Sequence, residues 1–370
     1  MEPNPIVHTL PVMVAKRPYV ELPWDAASDQ PDRIRDSRTK WNLRRAAAGE
    51  YLRTAAACTL TAPLIIGRLP GILAGFAPRL PRVADLVGVA VDPSAAPAQE
   101  QAALVRELGV RRLLLRAHVG QVDQIDALRR FADAFPDCEF LVVLCQDRHA
   151  VCNPGAWLAA CTRIVAAFYD RTREFQVGIA PNRTKWGCGH LGEYFLLAEA
   201  TMQLRQRWND LVLVGPGVID FEPLVAVRSL VNLRRFQFDA STALLYVDRR
   251  GAPSATQYGW FDLRRKIAFQ VAINQCSPRL SAAGRRRLWL TETNWPLQGA
   301  GRFAPTSSQE CVSETEAAQH LRDYYSIAWQ TGAVERVYWW QLVAKGYGLV
   351  DPEGYRQRPA FTSLADLIKS

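Results

Sequence analysis

The sequence predicts an α/β protein built on a (β/α)8 TIM barrel, preceded by a basic, partly helical N-terminal extension. From residue 83 onward, short apolar runs alternate with amphipathic stretches eight times, a pattern typical of parallel βα units. The 288 residues from position 83 to the end match the usual size of such a barrel. An open doubly wound sheet is the alternative, but the first strand runs into Val91-Asp92-Pro93-Ser94 instead of a glycine-rich phosphate turn.

The extension divides into two segments of different composition. Residues 1–39 lack apolar periodicity, and we expect an extended or disordered arm. Residues 40–82 carry seven basic residues against Glu50 alone, a net charge of +6, and predict a basic amphipathic or apolar helical segment. Pro63, Arg68 and Pro70 interrupt its apolar runs, so no uncharged run reaches the roughly 20 residues of a membrane span.

Two interpretations of residues 40–82 remain open. Basic flanks around broken apolar runs are typical of a segment that lies on an anionic membrane surface. The same pattern also fits a helix that packs on the barrel or plugs its floor. The third domain, residues 83–370, is predicted to be the barrel itself.

The barrel elements follow from apolar runs and from turn and cap signals. The strands are predicted at Asp85–Val91, Arg112–Arg116, Phe140–Cys145, Phe175–Ala180, Leu211–Val214, Ala243–Val247, Leu288–Thr291 and Val337–Gln341. The helices are predicted at 98–108, 121–135, 154–169, 190–207, 222–235, 257–275, 313–331 and 359–369. The seventh helix begins with Ser313-Glu314-Thr315-Glu316, which has the spacing of a capping box.

Composition narrows the class of function. The eight cysteines form no CxxC pair, the five histidines form no HExxH motif, and we therefore expect neither a metal nor another cofactor. Reduced thiols and the lack of a signal-peptide pattern predict a cytoplasmic protein, held peripherally on the inner membrane if residues 40–82 bind lipid. The excess positive charge is concentrated in the extension and no nucleic-acid-binding motif is present, so nucleic acid is not an expected partner.

Glu292 is the first candidate for a catalytic residue. It ends a short apolar strand, Leu288-Trp289-Leu290-Thr291, and the chain then turns at Trp295-Pro296. In a (β/α)8 barrel the carboxyl ends of the strands converge on one pocket. The other strand ends contribute a polar cleft with aromatic walls, which is typical of a carbohydrate site. Its expected binding residues are Asp147, Asn182, Lys185, Trp186, Asp248, Trp295, Trp340 and Gln341.

Three segments carry a resemblance to a known family. They are 288–296, then 337–341 with 347–349 and 358–361, and finally 176–187. Together they resemble the seventh strand, the eighth strand with its closing helix, and the fourth strand of clan A glycoside hydrolases, the retaining (β/α)8 glycosidases. The resemblance implies that Glu292 occupies the nucleophile position. It also implies that Arg116 and Tyr246 orient this carboxylate and stabilise its ionised form.

The fourth-strand segment departs from the family pattern. In the family this strand ends in Asn-Glu-Pro, and the glutamate is the general acid/base. When the segment is aligned on Pro181, Ile179 stands at the asparagine position and Ala180 at the glutamate position. Ala180 therefore marks the position of a missing acid/base.

Two functional hypotheses follow from the missing carboxyl group, and they differ in whether hydrolysis survives. A retaining mechanism needs a protonated carboxyl about 5–5.5 Å from the nucleophile, and general acid catalysis contributes about 10²–10⁴-fold. Four other acids could replace it, although the pattern around each fits a solvated loop residue or a helix cap better: Asp147, Glu193, Asp220 and Glu222. We expect either a protein that binds or cleaves a bacterial envelope glycan with impaired acid catalysis, or a non-catalytic pseudoenzyme. The latter would bind a glycan or assist its assembly at the inner membrane.

Overall fold

A closed barrel of eight parallel strands dominates the computed structural model, which describes residues 22–25, 30–32, 34–248 and 251–370. Each strand pairs with its neighbour in sequence, and the last pairs with the first. This confirms the predicted (β/α)8 architecture. The strands are β1 (Val87–Val91), β2 (Arg112–His118), β3 (Glu139–Cys145), β4 (Glu174–Val177), β5 (Val212–Ile219), β6 (Ala240–Leu244), β7 (Leu288–Thr293) and β8 (Val334–Trp339).

The fourth strand is shorter than predicted. It ends at Val177 because Gly178 and Ala180 adopt left-handed backbone conformations, with φ of 76° and 43°. A left-handed residue cannot continue a strand. The neighbouring β5 is longer than predicted and runs to Ile219, with a register shift between Pro216 and Val218. The rim of the barrel is therefore irregular between β4 and β5.

Helices surround the barrel, and several match their predicted bounds. They are α3 (Ala98–Leu108), α4 (Ile125–Asp133), α5 (Arg148–Cys152), α6 (Pro154–Phe168), α7 (Leu191–Thr201), α8 (Pro223–Leu230), α9 (Leu263–Cys276), α10 (Glu314–Thr331) and α11 (Pro359–Lys369). The capping box of α10 is confirmed, because Ser313 and Glu316 exchange hydrogen bonds. Helix α9 begins six residues later than predicted, where the Asp262 side chain accepts the N–H of Arg265.

The barrel interior is a packed core. Apolar and aromatic side chains fill it, including Leu114, Val143 and Trp289, which are at most 2% exposed. Near its N-terminal end, Arg336 Nη2 donates to Glu174 Oε1 at 2.7 Å, and the Arg336 guanidinium lies 4.0 Å from the Trp289 ring centroid. Space for a ligand therefore lies at the carboxyl end of the strands.

Two consecutive helices form the part of the extension next to the barrel. They are α1 (Ser37–Ala46), capped by the Asp36 side chain, and α2 (Ala48–Ala74). The prolines that interrupt the apolar runs do not end the helix. Helix α2 runs through Pro63 and Pro70, which are both exposed, as are Thr59 and Ile66, the residues whose carbonyl groups lose an N–H partner.

Helix α2 packs along α8 and α9 on the outside of the barrel. A buried ion pair anchors it, with Glu50 Oε1 2.7 Å from Arg228 Nε. Within the described residues, α2 is the one helix whose length and composition would allow it to cross a membrane. Of the predicted arm, residues 1–21, 26–29 and 33 lie outside the described residues, and two short strands pair antiparallel, Trp24–Asp25 with Gln30–Pro31.

Candidate active site at the mouth of the barrel

Glu292 lies near the end of β7, and both of its carboxylate oxygens accept hydrogen bonds. Arg116, from β2, places Nη2 2.7 Å from Oε2, and the Tyr246 hydroxyl donates to Oε1. The side chains of Arg116 and Glu292 are each only 8% exposed. A guanidinium and a hydroxyl donor at this range stabilise a carboxylate anion. The structure therefore brings together Glu292, proposed for the nucleophile position, and the two residues proposed to orient it, Arg116 and Tyr246.

Two tryptophans hold Arg116 in place. Its guanidinium carbon lies 3.4 Å from the centroid of the Trp340 ring and 5.2 Å from that of Trp186. Such contacts favour a cation over the ring face. One face of Trp340 is thus occupied by protein, and only its other face remains for a sugar.

Glu292 opens into a cleft of about 270 Å³. This volume is just below the range of typical ligand pockets, about 300–1,000 Å³. Six of the sequence-predicted site residues line it: Arg116, Lys185, Trp186, Tyr246, Glu292 and Trp340. Two further clefts, of about 310 and 400 Å³, share residues with it, the first through Lys185 and Trp186 and the second through Arg116 and Trp340.

The N-terminal arm reaches this mouth. Lys185 donates from Nζ to the side-chain oxygen of Gln30, and Gln30 lines the Glu292 cleft. Leu22, Pro31 and Ile34 line the neighbouring cleft of about 310 Å³. Sequence reasoning did not place the arm at the site, because nothing in an irregular polar segment indicates where it packs.

Trp295 does not lie in the cleft, although the sequence suggested that it stacks on a sugar. It is fully buried, and its ring stacks on Trp339 at a centroid distance of 5.9 Å. Its indole N–H donates to the carbonyl oxygen of Gly251 at 3.0 Å. Trp295 is therefore a core residue beneath the loop that follows β7.

The other predicted polar residues do not line the Glu292 cleft. Asn182 exchanges hydrogen bonds with the backbone of Ile219, and buried Gln341 donates to Asp92. Asp147 caps α5 and lines only the cleft of about 310 Å³. Asp248 is half-buried and lines none of the three clefts at the mouth.

Ile179, and not Ala180, provides the β4 side of the Glu292 cleft. Both residues belong to the same buried cluster, but Ile179 lines the cleft, whereas Ala180 is completely buried and does not. Gln146 fixes the backbone beside it, since its side chain accepts the N–H of Ile179 at 2.9 Å and donates to the carbonyl of Ile179 at 2.7 Å. Alignment on Pro181 could not reveal this, because the left-handed turns at the strand end change which side chain points inward.

The alternative acids near the mouth are tied to arginines. Arg183 Nη2 lies 2.6 Å from Asp220, and Arg183 also pairs with Glu222. Burial raises the pKa of Glu193, but hydrogen bonds from Arg148 and a backbone N–H outweigh it, and the net pKa is lowered. Among the described residues that line the Glu292 cleft, Asp220 is the second carboxylate.

Two polar residues of the mouth were not singled out as binding residues from the sequence. Asn294 donates to the carbonyl of Trp340 at 2.8 Å, while its buried side-chain oxygen accepts no hydrogen bond within the described structure and its residue lines the cleft. Its position two residues after Glu292 was the available signal, because alternate residues of a strand face the same side. His118 borders the two neighbouring clefts, and burial together with the Arg116 charge lowers its pKa to about 4. Its imidazole is therefore neutral near pH 7.

No group of three or more His, Cys, Asp or Glu side chains able to hold a metal occurs in the described part of the chain. The arrangement around Glu292 instead offers a supported anion, hydrogen-bonding groups and aromatic surface. These are groups that recognise and attack a carbon centre or hold a polar ligand.

The fold is a (β/α)8 barrel, and its structural neighbours are clan A glycoside hydrolases. Solved structures with this fold include a family 39 glycoside hydrolase from the gut symbiont Bacteroides cellulosilyticus WH2, with a TM-score of 0.56 and 13% identity. That match covers 79% of this chain and 65% of the enzyme, so the chain spans just under two thirds of its length.

Two other glycosidases align with similar scores. A β-glucosidase from Thermotoga maritima in complex with a methoxycarbonyl-substituted glucoimidazole gives a TM-score of 0.55 at 10% identity, covering 77% of this chain and 98% of that enzyme. A GH30 endoxylanase from Clostridium papyrosolvens C71 gives 0.53 at 14% identity, covering 80% and 73%. Neither a protein-family model nor a curated protein matches the sequence. The similarity therefore establishes the fold.

Proposed function

We propose that the protein binds a saccharide in the Glu292 cleft and hydrolyses glycosides slowly or not at all, because the cleft lacks a proton donor for the leaving group. The observation that carries the proposal is the contrast between its two walls. Glu292 is held by Arg116 and Tyr246 on one wall, whereas Ile179 stands on the β4 side. The solved barrels of similar fold, which are glycoside hydrolases, support the ligand class.

The chemistry that remains follows from these contacts. The Glu292 carboxylate can attack an anomeric carbon, and Arg116 and Tyr246 fix its orientation. The departing oxygen needs a proton from a carboxyl on the opposite side. Asp220 lines the cleft, but its Oδ2 lies 2.6 Å from Arg183 Nη2, so this carboxylate is engaged by the guanidinium and not directed at a leaving group. Only a leaving group that departs as a stable anion avoids this requirement.

We infer a bacterial envelope polysaccharide or its precursor as the ligand, and a non-catalytic role in glycan binding or assembly as the alternative. The ion pairs that occupy Asp220 and Glu222 favour the alternative, since they commit both acids to Arg183. The two roles differ in whether Glu292 reacts.

A covalent trap tests the reaction at Glu292. Activated 2-fluoro aryl glycosides, whose leaving groups need little acid assistance, should give an adduct visible by intact mass, with the sugar on the peptide containing Glu292. Glu292→Gln is the control and should give none. If the wild-type chain gives no adduct across a sugar panel but binds those sugars by calorimetry, the non-catalytic role is correct. If it neither reacts nor binds, the proposal fails.

A second variant tests the missing donor. Ile179→Glu should place a carboxyl on the cleft wall and raise turnover of an unactivated glycoside at least tenfold, because general acid catalysis supplies about 10²–10⁴-fold. Ala180→Glu is the matched control and should give no gain, since Ala180 is completely buried and does not line the Glu292 cleft. Rapid wild-type hydrolysis of unactivated glycosides would contradict the proposal of impaired catalysis.

A further inference from the structure

The outward face of α2 is unusual for a helix exposed on a protein surface. Between Arg53 and Arg68 it presents no charged residue, although a solvated helix face is normally polar. Leu60 is 77% exposed, Leu64 55% and Ile66 61%. We call this surface the apolar arc of α2: Ala55, Ala56, Thr59, Leu60, Pro63, Leu64, Ile66 and Gly67.

The opposite face of α2 is committed to the barrel. Ile65 and Leu69 are buried there, and the Glu50–Arg228 ion pair joins two side chains that are at most 8% exposed. A bilayer-spanning orientation would require α2 to leave α8 and α9 and to break this pair. The structure instead fits a helix that stays on the barrel and contacts an apolar environment with one side.

A basic cleft opens where α2 ends. It encloses about 990 Å³ between the last turns of α2 and the barrel, and four arginines line it: Arg68, Arg79, Arg285 and Arg286. The described lining contains no acidic residue, and none of the four forms an ion pair with a described carboxylate. A Cβ atom on Gly67 or Gly71 would meet nothing within 4 Å, so the cleft is open along α2.

We propose that α2 docks the protein onto the surface of an anionic phospholipid bilayer. The apolar arc enters the boundary between headgroups and acyl chains, and the four arginines of the adjoining cleft bind lipid phosphates. An apolar surface bordered by cations matches the two layers of such a membrane. A second copy of the chain fits less well, because pairing the same surface would bring two uncompensated arginine clefts together.

Vesicle flotation with the full chain tests this assignment. We expect binding to phosphatidylcholine vesicles that contain phosphatidylglycerol, little binding to phosphatidylcholine alone, and loss of binding as salt is raised from about 0.05 to 0.5 M. Leu60→Ser/Leu64→Ser should lower the partition coefficient at least tenfold. Arg68→Gln/Arg286→Gln should lower it by a similar factor, since each cation near the surface contributes about fivefold.

Two controls separate docking from general loss of charge or apolar surface. Arg130→Gln removes an exposed cation from α4, and Tyr258→Ser removes a 69% exposed ring from the loop before α9. Both should bind as the wild type does, and circular dichroism should show all variants folded. Equal binding of the α2 variants and the wild type would overturn the proposal. So would resistance to alkaline extraction, which indicates a spanning helix, or a wild-type dimer that Leu60→Ser/Leu64→Ser dissociates.

Discussion

Replacing Arg116 with methionine should destabilise the protein strongly and reveal the charge on Glu292. The two groups are 2.7 Å apart, and each side chain is 8% exposed. Unit charges about 4 Å apart interact by about 4 kcal/mol at an effective dielectric constant near 20. Removing one partner of a buried pair leaves an uncompensated charge and typically costs about 3–5 kcal/mol. Tyr246 retains its hydrogen bond to Glu292 but cannot replace the positive charge.

A double-mutant cycle isolates this interaction. The free energy of unfolding is measured in urea at pH 7 for the wild type, Arg116→Met, Glu292→Gln and the double variant. The contact of Arg116 with the Trp340 ring is lost in both arms of the cycle and cancels. We expect a coupling energy of about 3 kcal/mol. If Arg116→Met lies within about 1 kcal/mol of the wild type, Glu292 is not a buried anion, and the reasoning for a nucleophile at this position fails.

Two further predictions concern pH and backbone strain. Desolvation and the Arg116 charge lower the pKa of His118 to about 4 in the folded protein. Below pH 6.5 its imidazole therefore takes up a proton when the protein unfolds. The wild type should lose up to about 2 kcal/mol of stability between pH 7 and pH 5 that His118→Gln does not lose, and equal losses in urea titrations would refute the shift. Gly187→Ala should cost more than about 2 kcal/mol, because φ is 94° and its Cβ would lie 2.6 Å from the Asp147 backbone. Gly259→Ala, with φ of 72° and open space, should cost only about 1 kcal/mol in the same urea titrations, and equal costs would show that the clash relaxes.

Local signals were sufficient to predict the barrel. The hydrophobic periodicity of each apolar strand and each amphipathic helix is visible in a short stretch of sequence. Helices α3 and α11 have the predicted bounds. The continuity of α2 was not predictable in the same way. Whether Pro63 and Pro70 break a helix depends on which face they occupy and on the packing of the opposite face against α8 and α9. The answer therefore depends on tertiary packing, which a short stretch of sequence does not show.

The centre of the site was predictable, and its walls were not. Glu292, Arg116 and Tyr246 lie at strand ends, and closure of a parallel barrel necessarily brings strand ends together. Trp295 and Trp340 looked equivalent in the sequence, yet one is core and the other contacts Arg116. Both rings lie one or two residues beyond the last residue of their strands, Thr293 and Trp339, so the residue type alone does not decide which ring faces the cleft.

If the proposed lack of a proton donor is correct, one substitution at the irregular rim between β4 and β5 should restore acid catalysis only in part. A carboxyl at Ile179 would face the cleft, but Arg183 lines the same cleft and would stabilise the deprotonated form. Arg183→Gln removes that charge and also releases Asp220, which lines the cleft, so Arg183→Gln must be measured alone as well as with Ile179→Glu. A gain from Arg183→Gln alone would identify Asp220 as an acid that its ion pair holds inactive. A gain from Ile179→Glu that rises further in the combined variant, with none from Arg183→Gln alone, would place the missing donor at the end of β4, where Gln146 fixes the backbone around an apolar side chain.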